Sequence, residues 1–91
     1  MIPAFVAIGD GVLFQKIQNE IVLLNMENQQ YYGLNESASE LWESLIELGS
    51  VSAVEDKLSA SFDADPRSVS EDLRNLVSEM LAAGLLKPLT P

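Results

Sequence analysis

The sequence predicts an α+β fold in which a three-stranded antiparallel sheet is followed by three helices. The first third of the chain holds β-branched and apolar runs separated by short polar stretches, a spacing typical of hairpins. The remainder holds three stretches in which apolar residues recur every three or four positions, as in amphipathic helices. The segment Gln29–Asn35 joins the two parts, because its paired tyrosines favour a strand and its final asparagine favours a helix N-terminus.

The 91-residue chain is expected to form a single domain over residues 1–91, with residues 1–11 as a lead-in and residues 87–91 as a tail. A chain of this length buries roughly 60–65% of its unfolded surface, which is enough to fold without covalent staples. The sequence contains no cysteine and no histidine, which excludes disulfides, thiolate nucleophiles, Ser-His-Asp relays and the common zinc sites. It has no basic N-terminal region and no apolar run of about 18 to 20 residues, so we expect a soluble, cytoplasmic protein without a membrane span.

The first strands are expected to form a hairpin. Val12–Ile17 and Ile21–Asn25 flank the polar segment Gln18–Glu20, which suits a connection of about three residues. The second run is apolar on both faces, which predicts the central strand. A further short strand around Phe5–Ile8 is expected within the lead-in.

The third strand is predicted over Gln29–Leu34, at the edge of the sheet. Alternation places Leu34 and Tyr32 toward the core and Tyr31 on the opposite face. Edge strands normally carry lysine, proline or a bulge that discourages pairing with another chain, but Gln29–Gly33 contains no charge and no proline. Such an edge beside a long helix favours a receptor for an extended peptide, which would pair with the backbone and place side chains in a groove.

The first two helices have recognisable ends. The first is expected to begin at Asn35 or Ser37 and to end at Gly49, and the second to begin at Ser50 or Ser52. Their predicted core positions are Ala38, Leu41, Trp42, Leu45 and Leu48 in the first helix and Val54, Leu58 and Phe62 in the second.

The third helix is expected to be the longest, with Asp65 as its N-cap, Pro66 as its first residue, an end at Ala83 and a closing Gly84. Its apolar positions are Val69, Leu73, Leu76, Val77, Met80 and Leu81. They cover more of the circumference than one core-facing stripe requires, so part of the helix is expected to flank a groove. We assign Leu73 and Leu76 to the groove, and Val77 and Leu81 to the core.

Acidic residues outnumber basic ones by 14 to 5, giving a formal charge of −9. Residues 36–91 hold 11 acids and 4 bases, hence −7 of this total. The electrostatic field of this negative charge attracts basic partners and repels phosphate. Alternatively, the excess acid only keeps a small domain soluble. Both interpretations remain open.

The order of elements is winged helix-turn-helix-like, and modules of that kind usually bind DNA. The positions of the third helix away from its apolar face are Arg67, Glu71, Asp72, Arg74, Asn75 and Glu79. These mix both signs instead of forming a basic stripe, which argues against nucleic-acid binding. The carboxylates of Glu36, Glu40, Glu43 and Glu47 are interpreted as a solvated helix face and not as catalytic groups.

The succession of motifs resembles the PqqD-like domains, also called RiPP recognition elements, over most of the chain. The matching elements are Ile21-Val-Leu-Leu-Asn25, Tyr31-Tyr-Gly-Leu-Asn35, Leu41-Trp42, the serine-rich start of helix two, Leu58, Phe62, Asp72 and Met80-Leu-Ala-Ala-Gly84-Leu-Leu86. The Tyr-Tyr-Gly-Leu-Asn segment is most similar to stand-alone members that serve lasso-peptide synthesis. The resemblance implies that the leader of a precursor peptide pairs with the third strand and lies between it and the third helix.

Carried onto this sequence, the resemblance implies a pairing strand of Gln29, Gln30, Tyr31, Tyr32 and Gly33 and a groove wall of Val69, Asp72, Leu73, Leu76 and Met80. It also implies that the chain has no catalytic residue, metal or cofactor of its own. A separate leader peptidase would receive the bound precursor, and a cyclase would act on the core peptide. The alternatives are a PqqD-type chaperone serving a radical-SAM enzyme in quinone-cofactor synthesis, a DNA-binding winged helix and a purely structural subunit.

Overall fold

The computed structural model describes residues 2–61 and 65–89. Within them the elements are β1 (Val6–Ile8), β2 (Val12–Ile17), β3 (Glu20–Asn25), β4 (Gln30–Leu34), α1 (Glu36–Leu48), α2 (Val51–Ser61), α3 (Pro66–Ala82) and β5 (Leu86–Pro88). The strands β2, β3 and β4 form an antiparallel sheet with β3 in the centre. The predicted α+β class, with a three-stranded sheet followed by three helices, is confirmed.

The two turns of this sheet differ from their predicted forms. Ile17 pairs with Glu20, so the first turn contains two residues and not three. The second turn includes Gln29, which has a φ of 58° and precedes β4 instead of belonging to it. The backbone N–H of Gln30 donates to the side chain of Asn28 at 3.0 Å. The positive φ of Gln29 and this local hydrogen bond end the turn one residue later than predicted.

A second, two-stranded sheet joins the ends of the described chain. Strand β1 pairs antiparallel with β5, so that Val6 lies opposite Pro88 and Ile8 lies opposite Leu86. The short strand in the lead-in was predicted, but its partner was not: the expected tail begins inside β5. Gly9 lies directly against the carbonyl of Gly84, and a Cβ at position 9 would collide with that oxygen.

The helix ends follow the predicted capping chemistry. The side chain of Asn35 accepts from the N–H of Ala38 at 2.8 Å, which makes Asn35, and not Ser37, the N-cap of α1. Gly49 ends this helix with a φ of 69°. Ser50 accepts from the N–H of Ala53 at 3.3 Å at the start of α2.

Helix α3 ends at the predicted Gly84, in a Schellman motif. The N–H of Leu85 donates to the carbonyl of Met80 at 2.8 Å, and the N–H of Gly84 donates to that of Leu81 at 3.2 Å. Gly84 has a φ of 75°, which a residue with a side chain rarely adopts. The chain therefore turns sharply after α3 and enters β5.

The core lies between the three-stranded sheet and the helices. It contains Val6, Val12, Ile21, Leu23, Leu34, Trp42, Leu45, Val51, Val54, Leu58, Leu73, Val77, Met80, Leu85 and Leu86. Leu48 was expected in this core but is 40% exposed, because it lies in the last turn of α1, beyond Trp42 and Leu45. Leu81 is only partly buried, and Phe62 lies outside the described residues.

Candidate functional site

Strand β4 presents an unpaired edge, since among the described residues only β3 pairs with it. The hydroxyl of Ser39 accepts from the N–H of Ile21 at 2.8 Å and donates to the carbonyl of Leu34 at 3.1 Å. Ile21 of β3 lies opposite Leu34 of β4. The backbone polar groups of these two residues therefore face each other. Because antiparallel strands alternate the direction of their backbone groups, Tyr31 and Gly33 direct their N–H and C=O groups outward, to the unpaired edge.

The side chains along β4 leave this edge accessible. Tyr31 is 72% exposed, and no described atom lies within 4 Å of where a Cβ at Gly33 would stand. Tyr32 is half-buried on the opposite face, and its hydroxyl donates to Gln30 at 2.9 Å. The edge therefore offers hydrogen-bonding backbone without a charge, a proline or a bulky side chain in the way.

A groove of about 450 Å³ runs between β4 and α3. It is lined by Tyr31, Tyr32, Gly33, Leu34, Leu76, Glu79, Met80, Ala83 and Leu85. Glu79 is the one charged residue among these, and it is exposed. The groove can therefore hold apolar side chains of an extended segment and pair with a basic group at its rim.

Asn25 fixes the distance between the sheet and the end of α3. This residue is 3% exposed and lies at the end of β3. Its side-chain N–H donates to the carbonyl of Ala83 at 3.1 Å, while its side-chain oxygen accepts from the N–H of Glu27 at 3.0 Å. A Cβ at Gly84 would stand 3.2 Å from the Asn25 amide nitrogen, so glycine permits this close approach. Asn25 thereby positions one wall of the groove.

The structure brings together half of the ten residues proposed from the sequence. Tyr31, Tyr32, Gly33, Leu76 and Met80 line the groove. Gln30 belongs to β4 but is not among the lining residues, and Gln29 lies in the preceding turn.

The other three proposed residues lie on α3 but do not line the groove. Leu73 is completely buried, since it points directly into the core beside Val77. Val69 is half-buried and packs against the core, and Asp72 is exposed one turn before Leu76. The sequence placed Leu73 in the groove because periodicity gives the width of an apolar arc but not its rotation toward the sheet.

Four lining residues were not proposed from the sequence: Leu34, Glu79, Ala83 and Leu85. Leu34 was assigned to the core by alternation, and the structure places it both in the core and in the lining of the groove. Glu79 lies three positions after Leu76, so helical spacing could have placed it on the groove side. Asn25 also had a signal, because it is the one polar residue on an inner face that otherwise carries Ile21 and Leu23.

The described part of the chain has neither a metal-holding cluster nor a membrane-spanning helix. Residues 2–61 and 65–89 contain no group of three or more acidic side chains placed to hold a metal ion. No helix among them has the length and apolar character needed to cross a bilayer.

Comparison with known proteins identifies the family of the chain. The sequence model of the family described as coenzyme PQQ synthesis protein D (PqqD) matches residues 20–86. The chain belongs to the PqqD family. The matched region extends from the start of β3 to the start of β5, so it contains both walls of the groove. The resemblance inferred from the sequence motifs is thus confirmed.

Two solved structures share the fold of this PqqD-family chain. TbiB1 in complex with the TbiA(beta) leader peptide is 30% identical, with a TM-score of 0.82, over 93% of this chain and 99% of that one. Lasso peptide synthetase B1 complexed with the leader peptide has the same TM-score at 20% identity, over 93% of this chain and 100% of that one. Comparison with curated proteins gave no match.

Proposed function

We propose that this chain binds the leader segment of a ribosomally made precursor peptide, in a lasso-peptide pathway, by adding it as a strand to β4. The unpaired edge of β4 beside an apolar groove is the observation that carries the proposal. TbiB1, which is 30% identical to this chain, has been solved with a leader peptide, and this supports the assignment.

In this mode the leader backbone bonds to the outward groups of Tyr31 and Gly33. Each such hydrogen bond contributes about 0.5–1.5 kcal/mol. Alternate leader side chains enter the groove toward Leu76 and Met80, where burying one apolar side chain contributes about 1.5–3 kcal/mol. A lysine or arginine of the leader pairs with Glu79 at the rim. The backbone hydrogen bonds thus supply affinity that does not depend on the leader sequence, and the groove selects among leader side chains.

The chain itself performs no chemistry in this function. The groove contains two tyrosines and one glutamate as its ionisable groups, and the sequence has no cysteine or histidine to act as a nucleophile or base. The bound precursor is presented to a separate leader peptidase, and a cyclase then acts on the core peptide. Incubation of the purified protein with precursor should leave the mass of the peptide unchanged.

A second candidate function follows from the matched family description. A PqqD-type chaperone for quinone-cofactor synthesis would use the same edge and groove for a different peptide. The two functions differ in ligand and not in mechanism, so titration with both kinds of peptide separates them.

The decisive experiment compares two substitutions at Gly33. Gly33→Pro removes an outward backbone donor, whereas Gly33→Ala keeps it and adds a methyl group in open space. We expect Gly33→Pro to weaken binding of a fluorescent leader peptide tenfold or more while the domain stays folded. Gly33→Ala should bind within about twofold of the original protein, a difference of less than about 0.5 kcal/mol.

Unchanged leader affinity in a folded Gly33→Pro variant would show that the edge does not pair with the peptide. Duplex DNA is titrated in the same assay as the control for the DNA-binding alternative. Tight, salt-sensitive binding of DNA in place of leader would instead assign the domain to the DNA-binding winged helices.

A further inference from the structure

The hydroxyl of Ser39 ties α1 to the end of the β3–β4 ladder. Ser39 is 1% exposed and lies near the start of α1. Its hydroxyl bonds to both members of the pair Ile21 and Leu34, accepting from the first and donating to the second. A serine hydroxyl has a single hydrogen to donate, and here that hydrogen is committed to the carbonyl of Leu34. This carbonyl is therefore held in the direction of β3.

The carbonyl of Leu34 and the N–H of Asn35 belong to the same peptide group. The described residues contain no cis peptide bond, and in a planar trans peptide the C=O and N–H point in opposite directions. Asn35 has an extended backbone, with φ −69° and ψ 176°, so it continues the line of β4 by one residue. With the Leu34 carbonyl directed to β3, the N–H of Asn35 points to the open edge. Tyr31 and Gly33 direct their own backbone groups to the same edge.

The N–H of Asn35 has no acceptor among the residues that the structure describes. Asn35 is exposed, and its side chain is turned to the helix, where it accepts from the N–H of Ala38. In a capping box, a glutamate or glutamine three residues after the N-cap accepts the N–H of the N-cap residue. That position is Ala38 in this chain, and alanine has no acceptor. An unused donor therefore lies at the end of the edge.

We propose that the leader-binding edge extends one residue beyond β4, to the N–H of Asn35, and that Ser39 is the positioning residue that holds this N–H outward. The inference rests on the proposed function, in which a leader strand pairs with β4. A backbone carbonyl of the leader then accepts from Asn35, two residues along the ladder from Gly33. Without the Ser39 hydroxyl, the peptide group between Leu34 and Asn35 can rotate, and the N–H loses its fixed direction.

Amide hydrogen exchange measures this contact directly. The probe is a synthetic leader peptide, added to the isotopically labelled full chain and followed by NMR. We expect the bound leader to slow exchange at the amides of Tyr31, Gly33 and Asn35 by about tenfold or more, because all three become hydrogen-bonded.

Two serine substitutions on α1 test the positioning role. Ser39→Ala removes the hydroxyl, and Ser44→Ala makes the same change at the other buried serine of the helix. At a temperature where the variants are folded, Ser39→Ala should weaken leader binding about fivefold, as expected for one hydrogen bond. It should also abolish the leader-induced protection of Asn35 while that of Tyr31 persists. Ser44→Ala should keep leader affinity within about twofold and keep the protection of Asn35. If Ser39→Ala fails to fold, Ser39→Cys, a weaker donor of similar size, should show the same changes.

The outcomes separate this inference from the proposed function. A leader that binds and protects Tyr31 and Gly33 but not Asn35 would show that the edge ends at Gly33, and would overturn the inference alone. Unchanged affinity and Asn35 protection in a folded Ser39→Ala variant would overturn the positioning role. Failure of the original protein to bind leader would overturn the proposed function instead.

Discussion

Leu73 and Leu76 lie three residues apart on α3 but have different surroundings. Three residues correspond to about 60° around the helix axis at ~3.6 residues per turn. This rotation is enough to place Leu73 completely inside the core and Leu76 half-exposed on the groove. The apolar residues of α3 are therefore divided between the core and the groove, as the width of their arc predicted.

This difference gives a matched pair of substitutions on one helix. Leu76→Ala should weaken leader binding about tenfold, since it removes part of an apolar contact worth about 1.5–3 kcal/mol, and should change the melting temperature little. Leu73→Ala should cost about 2–5 kcal/mol of folding stability and leave the affinity of the folded fraction unchanged. Melting curves and leader titrations on both variants check this. Normal leader binding by Leu76→Ala would show that the Leu76 side chain does not contact the leader.

Most of the strand wall of the site could be predicted from the sequence, whereas the helix wall was predicted correctly only at Leu76 and Met80. The absence of charge and proline selected the edge Gln29–Gly33, and Tyr31, Tyr32 and Gly33 of this edge line the groove. The rotation of α3 depends on long-range contacts, such as the hydrogen bond from Asn25 to the carbonyl of Ala83, which local periodicity does not contain.

At the scale of elements, the two-stranded sheet of β1 and β5 was the least predictable feature. Each strand contains three residues, too few to show an alternating pattern, and their partners lie at opposite ends of the chain. The pairing becomes possible because the Schellman turn after α3 redirects the chain at Gly84. By contrast, β2 to β4 and the three helices had enough length and clear end signals to be predicted.

The pairing implies that residues after Leu86 contribute to stability. Ending the chain at Leu86 removes two residues that pair with Ala7 and Val6, and also removes the hydrogen bond from Leu89 to Phe5 at 2.9 Å. At about 0.5–1.5 kcal/mol per hydrogen bond, we expect a loss of about 1–3 kcal/mol. This should lower the melting temperature by roughly 4–8 °C per kcal/mol.

The control for this truncation is Lys87→Ala in the full chain. It removes the ion pair with Asp10, whose partners are largely exposed, so its effect should be below about 1 kcal/mol. Equal melting temperatures for the truncated and full chains would show that β5 is only a tail.

For the molecule as a whole, the fold alone does not decide the ligand. The order of elements is that of a winged helix, but α3 is used differently. Its groove side contributes Leu76, Glu79 and Met80 to a cleft beside a strand, while its outward side carries Arg67, Glu71 and Arg74 without a uniform sign. What distinguishes this chain from a DNA-binding winged helix is therefore the groove, which is formed by both the sheet and α3.

The overall charge should act on leader binding in two separable ways. A leader rich in lysine or arginine should bind more weakly as salt rises to physiological strength, because ions screen the field of −9 over about 8–10 Å. Glu79→Gln should lose up to a further fivefold, since an exposed ion pair contributes about 0.2–1 kcal/mol, and its salt dependence should be shallower. Glu71→Gln makes the same change in net charge at an exposed position outside the groove, so it should retain nearly all of the affinity. Equal losses in the two variants would mean that only the net charge matters, and a dissociation constant independent of salt would mean that the excess acid serves solubility alone.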